Sequence, residues 1–317
     1  MSEESTEGPS GLPAPDAAER AACFEAERPR LFALAYRMLG SAADAEDLLQ
    51  EAYLRFAQAG KPERPGPFLT TVVTRLAIDH LRSARVRRER YVGPWLPEPL
   101  VSTARGPSDE HELAESLSMA FLVLLEGLSP AERAAYLLHD VLGLPFQQVA
   151  GAIGRSAAGC RQLASRARKH LRQRSARFPA RPEDAERLAF AFFAAVRGGD
   201  LDALVATLLP DAVMVSDGGG AVKSARRPVH GARNVARFLL GIAAKAPDDL
   251  RVEPRWVNGA PGLLFLQDGV AWRVCHLDLA PEGVRGVYFV ANPAKLAALG
   301  AAPGEVTGSP PSTSQGE

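Results

Sequence analysis

Apolar residues recur at helical spacing through the first third of the chain and again in its middle, then give way to short alternating runs. Phe24, Leu31, Leu34, Ala35, Met38 and Leu39 share one face, and Gly40 ends that helix. Ser41 or Asp44 caps the next helix, where Ala45, Leu48, Leu49, Ala52 and Phe56 form a stripe. The Gly/Pro-rich GKPERPGP is a loop, and a third helix begins near Phe68, with Leu69, Val72, Val73, Leu76 and Leu81 turned inward. Residues 91–112 hold four prolines and read as an extended linker. In the next helical segment Ser129, Pro130 and Glu132 have the order of an N-cap, a first helical residue and a capping acid. FQQVAGAI then stops at Gly154, and Ser156 starts another helix, the pattern of a helix-turn-helix.

From about Arg181 the texture changes. PEDAERLAFAFFAAVRGGD and LDALVATLLPD read as helices, and so does GARNVARFLLGIAAKA. AVMVSD, RVEPRWVNG, GLLFLQDG, VAWRVCHLDL and RGVYFVAN read as strands of an antiparallel set, an α+β domain with a curved sheet around a pocket. The pattern therefore predicts a multi-domain chain. Disordered ends (1–20 and 301–317) flank an all-α domain (21–90), the linker (91–112), a second all-α domain containing the helix-turn-helix (113–177) and the α+β domain (181–300).

Charge changes this picture by its placement, since 37 basic residues balance 37 acidic ones. Basic residues cluster at 75–90 and 155–177, while acids crowd 1–27, 44–51 and 108–115. Two separate basic helices suggest a protein that grips two DNA elements; a plain helix-turn-helix regulator needs only one. Cys23, Cys160 and Cys275 are far apart and odd in number, which fits a reducing cytoplasm and indicates neither a disulfide framework nor a metal site. No apolar run is long enough for a transmembrane helix, and the acidic N-terminus is unlike a signal peptide, so no membrane association is expected.

In this order the segments resemble an alternative sigma factor of bacterial RNA polymerase, of the extracytoplasmic-function (ECF) type. DAEDLLQEAYLRF resembles that family's core-polymerase-binding helix, FLTTVVTRLAIDHLRSAR its promoter −10 helix, and 113–177 its −35 domain. WLPEPL (Trp95, Leu96, Pro97, Glu98, Pro99, Leu100), the glycine segment (Asp217, Gly218, Gly219, Gly220, Lys223) and NPAKL (Asn292, Pro293, Ala294, Lys295, Leu296) are similar to a SigJ-like subgroup (ECF41). Its members carry a C-terminal SnoaL-like domain of the NTF2 fold. Phe68 stands where many relatives have tryptophan, Ala294 where the last motif usually has aspartate, and Ala221 and Val222 separate the glycines from Lys223.

The resemblance implies roles. Asp44, Glu46, Asp47, Gln50 and Glu51 lie within two helical turns; as a bare pattern they are a solvated acidic helix end. In the family this face docks on the polymerase beta' coiled coil, and the beta flap is a second expected contact. Arg75, His80, Arg82, Arg85, Arg87 and Arg88 are expected at the −10 element, where loop 60–67 receives a flipped base; Asp79 is expected to pair with a neighbouring arginine. In the −35 domain Arg155, Ser156, Ala157, Ala158, Arg161, Gln162, Ser165 and Arg166 are placed to reach base edges. Arg161 and Gln162 are the best direct readers, and Arg168, Lys169 and Arg172 suit phosphates. Cys160, Leu163, Ala167 and Leu171 are expected in the core.

For the last domain, the resemblance implies regulation through contact with the linker, by way of Trp95–Pro99, exposed glycines 218–220, Lys223 and Asn292, Pro293, Lys295 and Leu296. Neither catalysis nor a cofactor is expected, and a small ligand in the pocket is left open. Asp217, His230, His276 and Asp278 keep an isomerase or cyclase with a DNA-binding appendage as an alternative, with Asp217 read as a turn residue and His276 as a satisfied core histidine. A helix-turn-helix regulator acting without polymerase is the other.

Overall fold

The computed structural model describes residues 15–59, 62–88, 91–103, 118–172 and 180–299, with side chains 84–88 left aside. Expectations for 1–14, 104–117, 173–179 and 300–317, and for the side chains of Arg85, Arg87 and Arg88, lie outside the described residues. The chain divides into two compact units, one from Met1–Arg87 with Leu124–Ser175, the other from Arg88–Val123 with Ala176–Glu317.

The first unit is helical. α1 (Pro15–Leu39), α2 (Ala42–Gln58) and α3 (Pro65–Arg88) bury Leu31, Leu34, Met38, Leu49, Ala52, Phe56, Leu69, Val73 and Leu81 of the predicted stripes, with Ala77 added, while Val72 and Leu76 are half-buried. α1 starts earlier than the sequence indicates, so residues 15–20 are helical, and α3 starts at Pro65, using proline's preset φ at a helix entry. Ser41 caps α2 by accepting from the Asp44 amide at 3.1 Å.

α5 (Pro130–Tyr136) opens on a complete capping box between Ser129 and Glu132 and runs into a π-helical turn, Leu137–Val141. α6 (Phe146–Ile153) ends at Gly154, whose φ of 72° is left-handed. α7 (Ala157–Arg172) is capped by Ser156, whose hydroxyl accepts from the Gly159 amide. Cys160, Leu163, Ala164, Ala167 and Leu171 are the buried face of α7, as expected of an amphipathic helix.

The second unit is α+β. α8 (Pro182–Gly198), α9 (Leu201–Thr207) and α10 (Ala232–Ala243) cover one sheet face around Phe192, Leu204, Met214, Val235, Leu239, Leu277 and Val287. The sheet has order β1-β4-β5-β6-β7-β2-β3, from β1 (Val101–Ser102), β2 (Leu208–Asp217), β3 (Val229–His230), β4 (Arg251–Val257), β5 (Ala260–Gln267), β6 (Val270–Ala280) and β7 (Gly283–Val290). Two corrections follow. The sheet is mixed, because β2 runs parallel to β7, and the LLPD read as helix belongs to β2.

A second core holds Leu96, Val257, Leu264, Val274, Val290 and Leu296, together with Met119 of α4 (Met119–Leu125). The linker thus contributes to this core, and it also contributes a strand. Val101 and Ser102 pair antiparallel with Val257 and Trp256, so the linker becomes the sheet's first strand.

Candidate functional site: a linker clamp and two charged helix faces

Asp217, read from the sequence as a turn residue, ends β2 and is fully buried. A buried carboxylate is costly unless donors surround it. Here Oδ1 accepts from the Tyr91 hydroxyl (2.6 Å) and the Gly219 amide (3.0 Å), while Oδ2 accepts from the Leu96 amide (2.9 Å) and the Lys295 ammonium (2.6 Å). Asn292, the N-cap of α11 (Pro293–Leu296), donates from Nδ2 to the Tyr91 oxygen at 2.7 Å and accepts the Ala294 amide through Oδ1. Burial first, then Asp217, pushes the Tyr91 phenol well above its ordinary range, so it remains a donor.

Lys295 also donates to the Leu96 carbonyl, and its ammonium lies 4.0 Å from the Trp95 ring centre and 5.3 Å from that of Tyr91. The cation therefore sits between a carboxylate and two aromatic faces, an arrangement strengthened by its low exposure. The glycines permit this approach. Gly219 has φ of +61°, and a Cβ there would come within 2.4 Å of Asn292; Gly220 has φ of +77° and lies against Val92. Further along, Asn258 accepts from the Leu100 amide through its side chain and donates its own amide to the Leu100 carbonyl. Pro97, Glu98 and Pro99 are buried between these anchors.

Lys223, expected in this contact, is exposed and takes no part in the Asp217 network; the lysine partner is Lys295. The two extra residues, Ala221 and Val222, lie between the glycine turn and Lys223. Ala294 is exposed and lends only its amide, so the missing aspartate leaves the network whole. Sequence reasoning missed Tyr91 and Asn258; an aromatic four residues before Trp95 was the available signal for the first.

Of the residues considered for catalysis, Asp217, His276 and Asp278 are held structurally. His276 is buried, its Nδ1 lies 2.9 Å from the Val257 carbonyl, and burial lowers its pKa to about 4. Asp278 is held by both ends of the Arg285 guanidinium at 2.7 Å, and His230 is exposed on β3. Among the described residues no group of three or more His, Cys, Asp or Glu side chains is gathered as a metal site would require.

In the helical unit, Asp47, Gln50 and Glu51 are exposed on α2. Asp44 and Glu46 are half-buried and face within the unit, Asp44 at 3.5 Å from His80 and Glu46 at 2.5 Å from Arg28. Beside them lies an open cavity of about 460 Å³, lined by Phe24, Leu49, Gln50, Tyr53 and Leu54 among others. On α3, Arg82 pairs with Asp79 at 3.2 Å, and Arg75 bonds to carbonyls of α6.

Ser156, Arg161, Gln162, Ser165, Arg166 and Lys169 line the exposed face of α7. Arg161 stacks over Phe146, 5.5 Å from its centre. Arg166 pairs with Glu132 of α5 at 2.8 Å and Arg168 with Asp140 of the π-helical turn at 2.6 Å, so these two arginines are already partly neutralised.

Much of the chain is similar to known proteins. Residues 23–87 match Sigma-70 region 2 and residues 118–171 match Sigma-70, region 4. The ECF RNA polymerase sigma factor SigJ of Mycobacterium tuberculosis is 43% identical over 289 residues, covering 86% of this chain and 92% of that protein. The probable ECF RNA polymerase sigma factor SigI of the same species is 32% identical, covering 87% and 94%. The crystal structure of M. tuberculosis extracytoplasmic function sigma factor SigJ superposes with a TM-score of 0.72 at 36% identity, over 87% of this chain and 98% of that one. Two sigma-70 regions in order, in a chain matched over most of its length by a sigma factor, place the chain in the family of ECF RNA polymerase sigma factors.

Proposed function

We propose that this sigma factor meets core polymerase through the exposed acidic face of α2, reads the −35 element with the start of α7, engages the −10 element with α3, and is governed by its own C-terminal domain. The observation that carries the regulatory part is the Asp217 network, which ties the linker between the two DNA-reading domains to the second unit. A linker fixed at Tyr91, Leu96 and Leu100 cannot adjust its length freely. The C-terminal domain thereby sets how far apart the two promoter elements can be gripped, and because it is covalently attached it does so at high effective concentration.

The α7 surface supports direct reading at its first two turns. Arg161 offers the fork that suits guanine, and Gln162 the amide that suits adenine. Lys169 and Arg172, further along, suit phosphates; Arg166 and Arg168 must first exchange their acidic partners for DNA. On α2, Asp47, Gln50 and Glu51 are open to a basic partner, whereas Asp44 and Glu46 support the helix pair. The second unit acts without catalysis, since Asp217, His276 and Asp278 are each held in a structural role. A factor working on promoter DNA acts in the cytoplasm, and no described helix is long and apolar enough to cross a membrane.

Run-off transcription with purified core enzyme tests this reading. The full chain supports promoter-dependent transcripts, Asp47→Lys lowers core affinity in a pull-down, and the chain without core binds promoter duplex weakly in a gel shift. Tight duplex binding by the isolated chain with no core-dependent transcript would favour a polymerase-independent regulator instead.

A further inference from the structure

The helical unit contains a reciprocal exchange between its two halves. α6 ends at Gly154, and the amides of Gly154 and Arg155 both return to the Ala150 carbonyl, so the Gly151 and Ala152 carbonyls need other donors. Arg75 of α3 supplies them, with Nη2 2.7 Å from the Gly151 oxygen and Nε 3.2 Å from that of Ala152. α1 ends in the same way, at Gly40 with φ of 69°, whose amide returns to the Tyr36 carbonyl. The freed Met38 carbonyl is taken by Nη1 of Arg133 on α5, which is 3% exposed and also pairs with Glu126 at 2.9 Å. Each half thus places an arginine on the helix C-terminus of the other, where carbonyls and helix dipole favour a cation.

We propose that these two arginines latch the −10 and −35 halves together in the free protein, and that Arg75 is the switch. This rests on the reading above that Arg75 faces promoter phosphates. The helix carbonyls occupy the Nε–Nη2 edge of the Arg75 guanidinium, so a phosphate that approaches by that edge competes with the latch. The latch is built to open. The Arg75 side is solvent-accessible. On the other side, the Arg133 Nε is buried with no acceptor among the described residues, which leaves that cap incompletely satisfied. A chain latched in this way is poor at holding promoter DNA until polymerase or the promoter itself competes for Arg75.

The test uses the full chain with Cys23→Ser and a label pair at Asp79→Cys on α3 and Arg172→Cys on α7, the other two cysteines being buried. Inter-label distance is measured without DNA for the parent, for Arg133→Met and for Gly151→Lys. The second variant adds a cation to the helix end that receives Arg75, and a Cβ at position 151 meets nothing within 4 Å, so like-charge repulsion tests the latch even where Arg133→Met fails to fold. The expected result is one short distance in the parent and a longer, broader distribution in the variants. Affinity of the free Arg133→Met chain for a single-stranded −10 oligonucleotide should rise about five- to tenfold, a modest coupling, and the gain should vanish when Arg75→Ala is added. Unchanged distances in both variants overturn the latch whatever Arg75 does on DNA. Longer distances with no gain in affinity overturn the switch. Core-dependent transcription by Arg75→Ala judges the promoter reading separately.

Discussion

The charged groups that face partners and those that clamp the linker live under opposite physical conditions. On α2 and α7 the key side chains are exposed, and their pairs, such as Glu51 with Arg55, are held at the surface. In the second unit Asp217 and Lys295 are withdrawn from water and satisfied by backbone, phenol and aromatic faces. Surface pairs contribute little to stability and leave their charge free for a ligand. A buried pair is expensive to halve, so it holds one conformation firmly until something replaces both partners at once. Recognition is thus assigned to groups that can let go, and control to groups that cannot let go singly.

The sharpest way to break that contrast is Asp217→Ala. It strands the Lys295 ammonium and leaves the Leu96 amide unpaired, and it should cost about 3–5 kcal/mol in denaturant unfolding of the second unit. Hydrogen exchange at the Leu96 amide should accelerate in parallel; retained protection would mean that the clamp does not depend on the carboxylate.

His276 gives a pH test of the same buried environment. Its native pKa of about 4 lies below the unfolded value of 6.5, so between these limits the unfolded chain binds a proton that the native chain refuses. Stability therefore falls as pH drops through that window, by up to about 3 kcal/mol for this group, and is restored as pH rises above it. Melting curves of His276→Gln should show a flatter dependence between pH 6.5 and 4.

On the exposed side, Arg161→Ala should relax −35 preference by about 1–3 kcal/mol for a lost bidentate contact, measured as relative binding of holoenzyme to promoter variants. Equal loss on every promoter would assign Arg161 to phosphate instead. Smallest of all, Arg55→Ala should change stability by less than about 0.5 kcal/mol, because its pair with Glu51 is half-exposed. A larger loss would show that the exposed pair on α2 contributes more than a surface pair should.

The helices were legible because each writes its own period and its own ends. Gly40, Ser41, Ser129 and Gly154 all sit where their backbone chemistry requires. The Asp79–Arg82 pair and the buried Cys160 could likewise be read locally. What the sequence hid is tertiary. β1 and β3 are two residues long and exist only through their neighbours, and the parallel pairing of β2 with β7 leaves no periodic trace. Lys295 partners Asp217 because α11 folds back beside the end of β2, a closure of 78 residues. Arg75 looked like a purely DNA-facing cation, and no spacing rule would have paired it with carbonyls 76 and 77 positions away.

The most direct trial of linker control is run-off transcription on promoters whose −35 to −10 spacing is varied one base pair at a time. With core enzyme, the intact factor should favour a narrow set of spacings, and Asp217→Ala should widen that set. An identical spacing profile for the two proteins would contradict the claim that the clamped linker fixes the reach between promoter elements.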